Sequence, residues 1–103
     1  MTWLSKHCAL GLMLYLSMFS AIARDLEQDE ALRLRMDGVI MPLEDLVHLA
    51  LQQYPKARLL EVELEDEKGK YIYEVELLTQ SGGVRELEFD ARNGRLLSDE
   101  EED

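Results

Sequence analysis

The sequence predicts an α+β fold in which one amphipathic helix packs on a three- to four-stranded antiparallel β-meander. Apolar residues recur at helical spacing over residues 42–54 and form a single stripe. Residues 59–97 then alternate apolar and acidic side chains in segments that are separated by glycine-containing turns. A sheet with one apolar face needs a cover, and the helix stripe supplies it.

The predicted helix runs from about Pro42 to Tyr54. Glu44 and Asp45 fall in its first turn, where the helix dipole favours negative charge. Pro55 ends the helix, because proline lacks the backbone N–H that a helix interior needs. The apolar stripe consists of Leu43, Leu46, Val47, Ala50, Leu51 and Tyr54.

Three strands and a short fourth one are predicted after the helix. Their ranges are 59–66, 71–79, 84–90 and 95–97, with turns at Lys68-Gly69, Ser81-Gly82-Gly83 and Asn93-Gly94. A two-residue first turn and a three-residue second loop keep apolar residues opposite apolar residues. The predicted pairs are Leu64 with Tyr73, Val62 with Val75, Leu60 with Leu77, Leu77 with Leu87, and Val75 with Phe89.

The first 23 residues have the layout of a secretory signal peptide. Lys6 lies in a short basic region, residues 8–19 are apolar, and residues 21–23 match a small-x-small cleavage site. The apolar run is shorter than the roughly 20 residues that span a bilayer, so an uncleaved anchor is the less favoured alternative. The charge just before Cys8 disfavours a lipoprotein signal. We expect cleavage near Ala23, a periplasmic or secreted location, and no membrane insertion of the mature chain.

The mature chain is predicted to be small, strongly acidic and free of cysteine. Removal of 23 of the 103 residues leaves 80 and takes away one lysine, so the net charge changes from −11 to −12. Such a charge repels nucleic acid and anionic lipid and favours basic protein partners or cations. Residues 24–38 are predicted to be a charged leader, either a short helix or a flexible segment. Residues 39–97 are predicted to be the folded domain and residues 98–103 a solvated acidic tail.

The predicted outer face of the sheet carries two cross-strand rows of carboxylates. Such rows on a rigid sheet suit a docking surface for lysine and arginine side chains. A solvated face that discourages edge-to-edge aggregation is the structural alternative. Weak binding of a divalent cation ranks lower, because no calcium-loop spacing is present. The candidate partner-binding residues are Glu61, Glu76 and Glu88 in one row and Glu63, Glu74 and Asp90 in the next.

Catalysis finds little support in the sequence. His48 is the single histidine after residue 23, and it lies off the apolar stripe, near Glu44 and Gln52. We therefore expect an exposed surface histidine rather than a general base. No serine–histidine–aspartate set, histidine metal pair or phosphate-binding glycine loop is visible in the sequence. The prediction is a non-enzymatic protein with no cofactor and no assigned metal site.

Two short motifs in the meander carry a family resemblance. Residues 73–75 match the Tyr-Glu-Val core of the PepSY family, and residues 90–94 match its Asp-Ala-x-x-Gly turn. The family's helix commonly ends in proline-glycine, whereas Lys56 follows Pro55 here. The order and spacing of these pieces make residues 39–97 resemble a PepSY domain, the small module of thermolysin-like metalloprotease propeptides that also occurs as a free-standing exported protein.

The resemblance implies that this protein regulates another protein rather than catalysing a reaction itself. PepSY-like modules are thought to restrain proteases or to modulate activity outside the cytoplasm. We therefore expect a separate protein partner, either a peptidase or an envelope sensor protein. The leading hypothesis is an exported binding module that inhibits or modulates an envelope or secreted protein, with a peptidase as the first candidate. The alternative is a periplasmic accessory sensor of cations or pH that acts through the acidic sheet face.

Overall fold

The computed structural model describes residues 24–102, which form two helices and five strands. The elements are β1 (Arg24–Asp25), α1 (Gln28–Met36), α2 (Leu43–Gln53), β2 (Arg58–Glu67), β3 (Lys70–Leu78), β4 (Val84–Asp90) and β5 (Leu96–Glu102). The strands lie in the order β1-β2-β3-β4-β5, and each pairs antiparallel with its neighbours. Strands β2 to β5 form a four-stranded meander, which confirms the predicted α+β fold, and the short β1 extends it at one edge.

Helix α2 covers one face of the meander. Leu46 and Ala50 on this helix are 0% exposed and belong to the same core cluster as the inward side chains of the sheet. Burial of a large aliphatic side chain contributes about 1.5–3 kcal/mol to folding. The helix–sheet contact is therefore a main source of stability in so small a domain. The buried sheet residues of the cluster are Leu64, Tyr73, Val75, Leu77, Leu87 and Phe89.

The hairpin of β2 and β3 has the predicted two-residue turn. Glu67 pairs with Lys70, and the intervening Lys68 has a φ of 53°, as the primed turns of tight hairpins require. The predicted pairs Leu64 with Tyr73 and Val62 with Val75 are present. The predicted pair Leu60 with Leu77 is wrong, because a bulge between residues 59 and 61 places Leu59 opposite Leu77.

The register of β3 and β4 differs from the prediction by two residues. Leu87 lies opposite Val75 instead of Leu77, and Phe89 lies opposite Tyr73 instead of Val75. The connecting loop has five residues rather than three: Thr79 donates from its backbone N–H and from Oγ1 to the Gly83 carbonyl, at 2.8 and 2.9 Å. Because side chains alternate with a period of two, both registers keep the same side chains inside, and only the loop distinguishes them.

The last strand is longer than predicted. A short strand at residues 95–97 followed by a solvated tail was expected, but β5 continues to Glu102 and pairs with β4 along its length. A second bulge, on the β5 side of the pair between Glu88 and Phe89, lies near the start of this strand. Residues 98–102 are therefore part of the sheet, because pairing satisfies backbone groups of β4 that would otherwise form an open edge.

The leader contains a helix, which is one of the two alternatives left open for residues 24–38. Ala31 is the buried residue of α1, while Met36 is 76% exposed. Arg35 attaches the helix to the core: its Nε donates a 2.9 Å hydrogen bond to the Tyr73 hydroxyl, which itself donates to the Met41 carbonyl at 3.0 Å. The leader is thus held to the domain by a small apolar contact and one partly buried polar network.

Residues 1–23 lie outside the described part of the chain. The signal peptide and its cleavage near Ala23 therefore remain predictions. Within residues 24–102, no helix is both long enough and apolar enough to cross a membrane.

Candidate functional site: the acidic outer face

The face of the sheet that points away from α2 is covered with carboxylates, and we call it the acidic face. All six residues predicted from the sequence lie on strands that contribute to it, because each occupies an outward position in the alternation of β2, β3 or β4. The observed first row is Glu61, Glu76, Glu86 and Glu100. The observed second row is Glu63, Glu74, Glu88 and Ser98.

The two-residue shift of β4 changes the predicted rows. Glu88 was expected beside Glu76 but pairs with Glu74, and Asp90 was expected beside Glu74 but pairs with Ile72. Asp90 also has a local role, since its Oδ1 accepts the backbone N–H of Arg92 at 2.9 Å. Asp90 lies at the end of β4, opposite Ile72, and is therefore the predicted site residue that belongs to neither carboxylate row.

Two residues of the first row were missing from the predicted site. Glu86 was not included, because the expected register placed Glu88 in that row. Glu100 was assigned to the tail, although β5 places it opposite Glu86. The sequence would have placed Glu86 and Glu100 in the first row only if the five-residue loop after β3 and the full length of β5 had been predicted.

Burial and like charge both act on the first row. Partial burial raises the pKa of the Glu76 carboxyl above its ordinary value, and the nearby charges of Glu102 and Glu61 raise it further. The pKa of Glu86 is raised in the same way, first by burial and then by surrounding glutamates that include Glu74. A raised pKa means that the charged form is penalised in the folded protein. A cationic group placed on this face would relieve that penalty.

Carboxylate oxygens lie close together around Glu74 of the second row. Glu74 belongs to two groups of three whose ligand atoms all lie within 4.8 Å of one another, one with Glu63 and Glu65 and the other with Glu86 and Glu88. Glu88 also accepts a 3.1 Å hydrogen bond from the Ser98 hydroxyl. Oxygen clusters of this type suit a lysine or arginine head group, or a hard divalent cation.

The opposite face holds a polar network at the end of α2. Tyr54 donates to Asp99 Oδ2 at 2.7 Å, and Arg85 donates to Asp99 Oδ1 from Nε at 3.0 Å and from Nη2 at 2.8 Å. The bond to Asp99 is the main cause that raises the pKa of the Tyr54 hydroxyl. This network fixes β5, and with it Glu100, relative to the rest of the sheet.

His48 is exposed on α2, as predicted. Its Nε2 lies 3.2 Å from Nε2 of Gln52, one turn along the helix. The acidic face lies on the other side of the sheet from α2, so His48 is not part of it.

Comparison with known proteins identifies the family. The family model described as peptidase propeptide and YPEB domain, PepSY, matches residues 40–100. The uncharacterized protein YkoJ of Bacillus subtilis (strain 168) is 31% identical over 75 residues, which cover 73% of this chain and 44% of that protein. This chain thus matches less than half of YkoJ. No solved structure gives a significant match. PepSY domains are propeptide-type or regulatory modules that are generally non-catalytic and occur in exported proteins. Because the family model matches more than half of its length, the chain belongs to the PepSY family.

Proposed function

We propose that this protein is an exported, non-catalytic binding module that inhibits or modulates a separate envelope or secreted protein, with a peptidase as the first candidate. The acidic face receives lysine and arginine side chains of that partner. Membership of the PepSY family supports a regulatory role close to that of a peptidase propeptide. The single observation that carries the proposal is the set of two adjacent carboxylate rows on one rigid sheet face.

The energetics of the rows favour a cationic partner. The charged form of Glu76 is disfavoured by burial and by neighbouring carboxylates, and the same holds for Glu86. A lysine or arginine that docks there supplies opposite charge where like charges are crowded. Binding would therefore be strong at low ionic strength and would weaken as salt screens the charges.

Zero-length crosslinking tests this proposal directly. A carbodiimide joins a carboxylate to a lysine amine only when the two are in contact, so mass spectrometry of the products identifies both the partner and the carboxylates it touches. We expect the full chain, treated in an envelope fraction, to join an exported protein through Glu74, Glu76 or Glu88. The purified protein should then lower the activity of that partner if the partner is a peptidase.

The same experiment contains its own control. Glu44 and Asp45 are exposed on α2, on the other side of the sheet. Crosslinks at these two residues would indicate a general attraction between opposite charges rather than docking on the acidic face. Crosslinks concentrated there, or no crosslinked exported protein at all, would overturn the proposal.

A second candidate function is an accessory sensor of cations or pH. The two groups of three carboxylates that share Glu74 favour it, because three oxygens within 4.8 Å suit a divalent cation. Calorimetry with calcium and magnesium chloride separates the two functions. Saturable binding at physiological salt that is lost in Glu74→Gln supports the sensor, whereas heats that vanish at that salt concentration count against it.

A further inference from the structure

The edge strand β2 is only partly covered. Strand β1 pairs with it at Asp66 and Glu65, and the Leu26 N–H donates a 2.9 Å hydrogen bond to the Leu64 carbonyl. The chain then leaves the edge to begin α1. Among residues 24–102, the stretch 58–63 therefore has β3 as its sole strand neighbour.

The backbone of Val62 points out of this open edge. In an antiparallel strand the N–H and C=O of one residue point to the same side, and the side alternates along the chain. The Leu64 carbonyl points towards β1, so both groups of Val62, two residues earlier, point the same way. Within the described chain no backbone or side-chain group bonds to them, since β1 ends before it reaches this position.

A groove of about 380 Å³ runs beside this edge, between the two helices and β2. Leu26, Ala31, Leu43 and Val62 contribute apolar surface to the groove, and Gln28 and Arg35 contribute polar surface. Glu61 and Glu63 of β2 also border it. The open edge thus offers the free backbone groups of Val62, apolar residues in the groove beside it, and the negative charge of Glu61 and Glu63 on the side of the acidic face.

The other sheet edge is built differently. Strand β5 ends in four consecutive acidic residues, 99–102, and charged side chains on an edge discourage a further strand. The open stretch of β2 instead exposes Leu59 and Leu60, at 42% and 50%. A second copy of this chain is a poor occupant, because both of its edges carry carboxylates that would face those of β2.

We propose that the open stretch of β2 binds an extended segment of a partner protein as an added strand. The segment alternates apolar and basic residues. Its apolar side chains enter the groove beside Val62, and its lysine or arginine side chains lie next to Glu61 and Glu63. Main-chain hydrogen bonds to Val62 supply affinity, and the alternating side chains supply specificity. This inference rests on the proposed function and adds the way in which the partner is held.

The test uses a synthetic hexapeptide that alternates lysine and valine, with capped ends. Six residues at about 3.3 Å each match the length of the open stretch. We expect saturable binding to the full chain by calorimetry, and at least a tenfold slowing of amide exchange at Val62. The same peptide with all backbone amides N-methylated, or with glutamate in place of lysine, should not bind.

Matched protein variants separate the groove from the acidic face. Glu61→Gln combined with Glu63→Gln should weaken peptide binding at least tenfold, whereas Glu86→Gln combined with Glu100→Gln, farther along the same face, should change it less than threefold. Peptide binding that leaves Val62 exchange unchanged, that survives N-methylation, or that depends on Glu86 and Glu100 would overturn the edge proposal and leave the proposed function standing. Absence of any crosslinked partner overturns the proposed function whatever the peptide does.

Discussion

The hydroxyl of Tyr54 donates a 2.7 Å hydrogen bond to the carboxylate of Asp99, which joins the end of α2 to the last strand of the sheet. Arg85 of β4 reaches the same carboxylate with two nitrogen atoms, and its guanidinium lies 5.6 Å from the centroid of the Tyr54 ring. Three elements thus meet at one aspartate. Strand β5, which has β4 as its one strand neighbour among residues 24–102, gains a second attachment through this contact.

Loss of this aspartate should destabilise the fold. Asp99→Ala removes the partner of Tyr54 and of Arg85, and hydrogen bonds to charged groups contribute about 1.5–3 kcal/mol when well buried. The ion-paired side chains are 26% exposed, so we expect a loss near the lower end of that range. Urea unfolding measures it. Glu100→Ala, one residue later on the opposite face, is the control: it relieves like-charge crowding in the first row, so the unfolding free energy should stay the same or rise by up to about 1 kcal/mol.

The Tyr54 hydroxyl also predicts a loss of stability at alkaline pH. Its pKa is raised above the ordinary 10.0, first by the hydrogen bond to Asp99 and then by burial. A group with a raised folded pKa stabilises the fold below its unfolded pKa, and this contribution is lost as the pH rises through the folded pKa. The stability advantage of the wild-type chain over Tyr54→Phe should therefore be constant at neutral pH and should shrink above about pH 10. An advantage that persists unchanged to about pH 11 would contradict this assignment.

Removal of a crowded charge on the acidic face should stabilise the protein at neutral pH. Burial and the charges of Glu102 and Glu61 raise the pKa of Glu76 above 4.5, so the charged form costs folding free energy once the pH exceeds that value. We expect Glu76→Gln to raise the unfolding free energy by about 0.2–1 kcal/mol at pH 7, the scale of one cross-strand pair. The gain should disappear below the ordinary pKa of 4.5, where the wild-type side chain is protonated in both states.

A helix carboxylate provides the control for that effect. Glu44→Gln removes a charge that the dipole of α2 favours, so it should be neutral or slightly destabilising at the same pH. Equal stabilisation by the two substitutions would mean that net charge, rather than the crowding of the first row, is responsible.

Gly94 in the turn between β4 and β5 should resist substitution. Its φ is +76°, and an added Cβ would lie 2.6 Å from Leu49 Cδ1 and 3.3 Å from the Met41 side chain. Gly82 has a similar backbone, with φ of +94°, but nothing lies within 4 Å of its Cβ position. Gly94→Ala should therefore cost more than the roughly 1–2 kcal/mol expected for Gly82→Ala from backbone strain alone. Equal losses in thermal unfolding would show that the contact with Leu49 is unimportant.

Local patterns were sufficient to predict α2, strands β2 to β4 and one hairpin. The helical spacing that ends at Tyr54 predicted α2, and the Lys68-Gly69 turn fixed the pairing of β2 with β3 except at the bulge near Leu60. Both signals act over a few residues, so the sequence expresses them directly. The direction of each carboxylate followed from the alternation alone, and this placed the candidate residues on the correct face.

Long-range placement was not predictable from the same patterns. The alternation of β4 is equally consistent with registers that differ by two residues, so the neighbours of Glu88 were misassigned. Strand β5 was predicted only at its start, residues 95–97, because its acidic run resembles a solvated tail. Asp99 faces inward to Tyr54 and Arg85, and no short-range pattern indicates a contact across 45 residues.

If the acidic face is the surface that recognises the partner, binding must depend on where its carboxylates lie as well as on the net charge of the protein. Glu63→Gln, Glu74→Gln and Glu88→Gln together remove the second row. A matched triple variant removes the same charge from exposed positions just after α1 and in the first turn of α2. Its substitutions are Asp37→Asn, Glu44→Gln and Asp45→Asn.

The most direct measurement is the dissociation constant of each variant with the exported partner identified by crosslinking, at physiological salt. The row variant should bind at least about tenfold more weakly than wild type, a difference of about 1.4 kcal/mol. The matched variant should stay within about threefold, a difference of less than about 0.7 kcal/mol. Equal weakening in both variants, or no weakening in the row variant, would contradict the assignment of the acidic face as the surface that binds the partner.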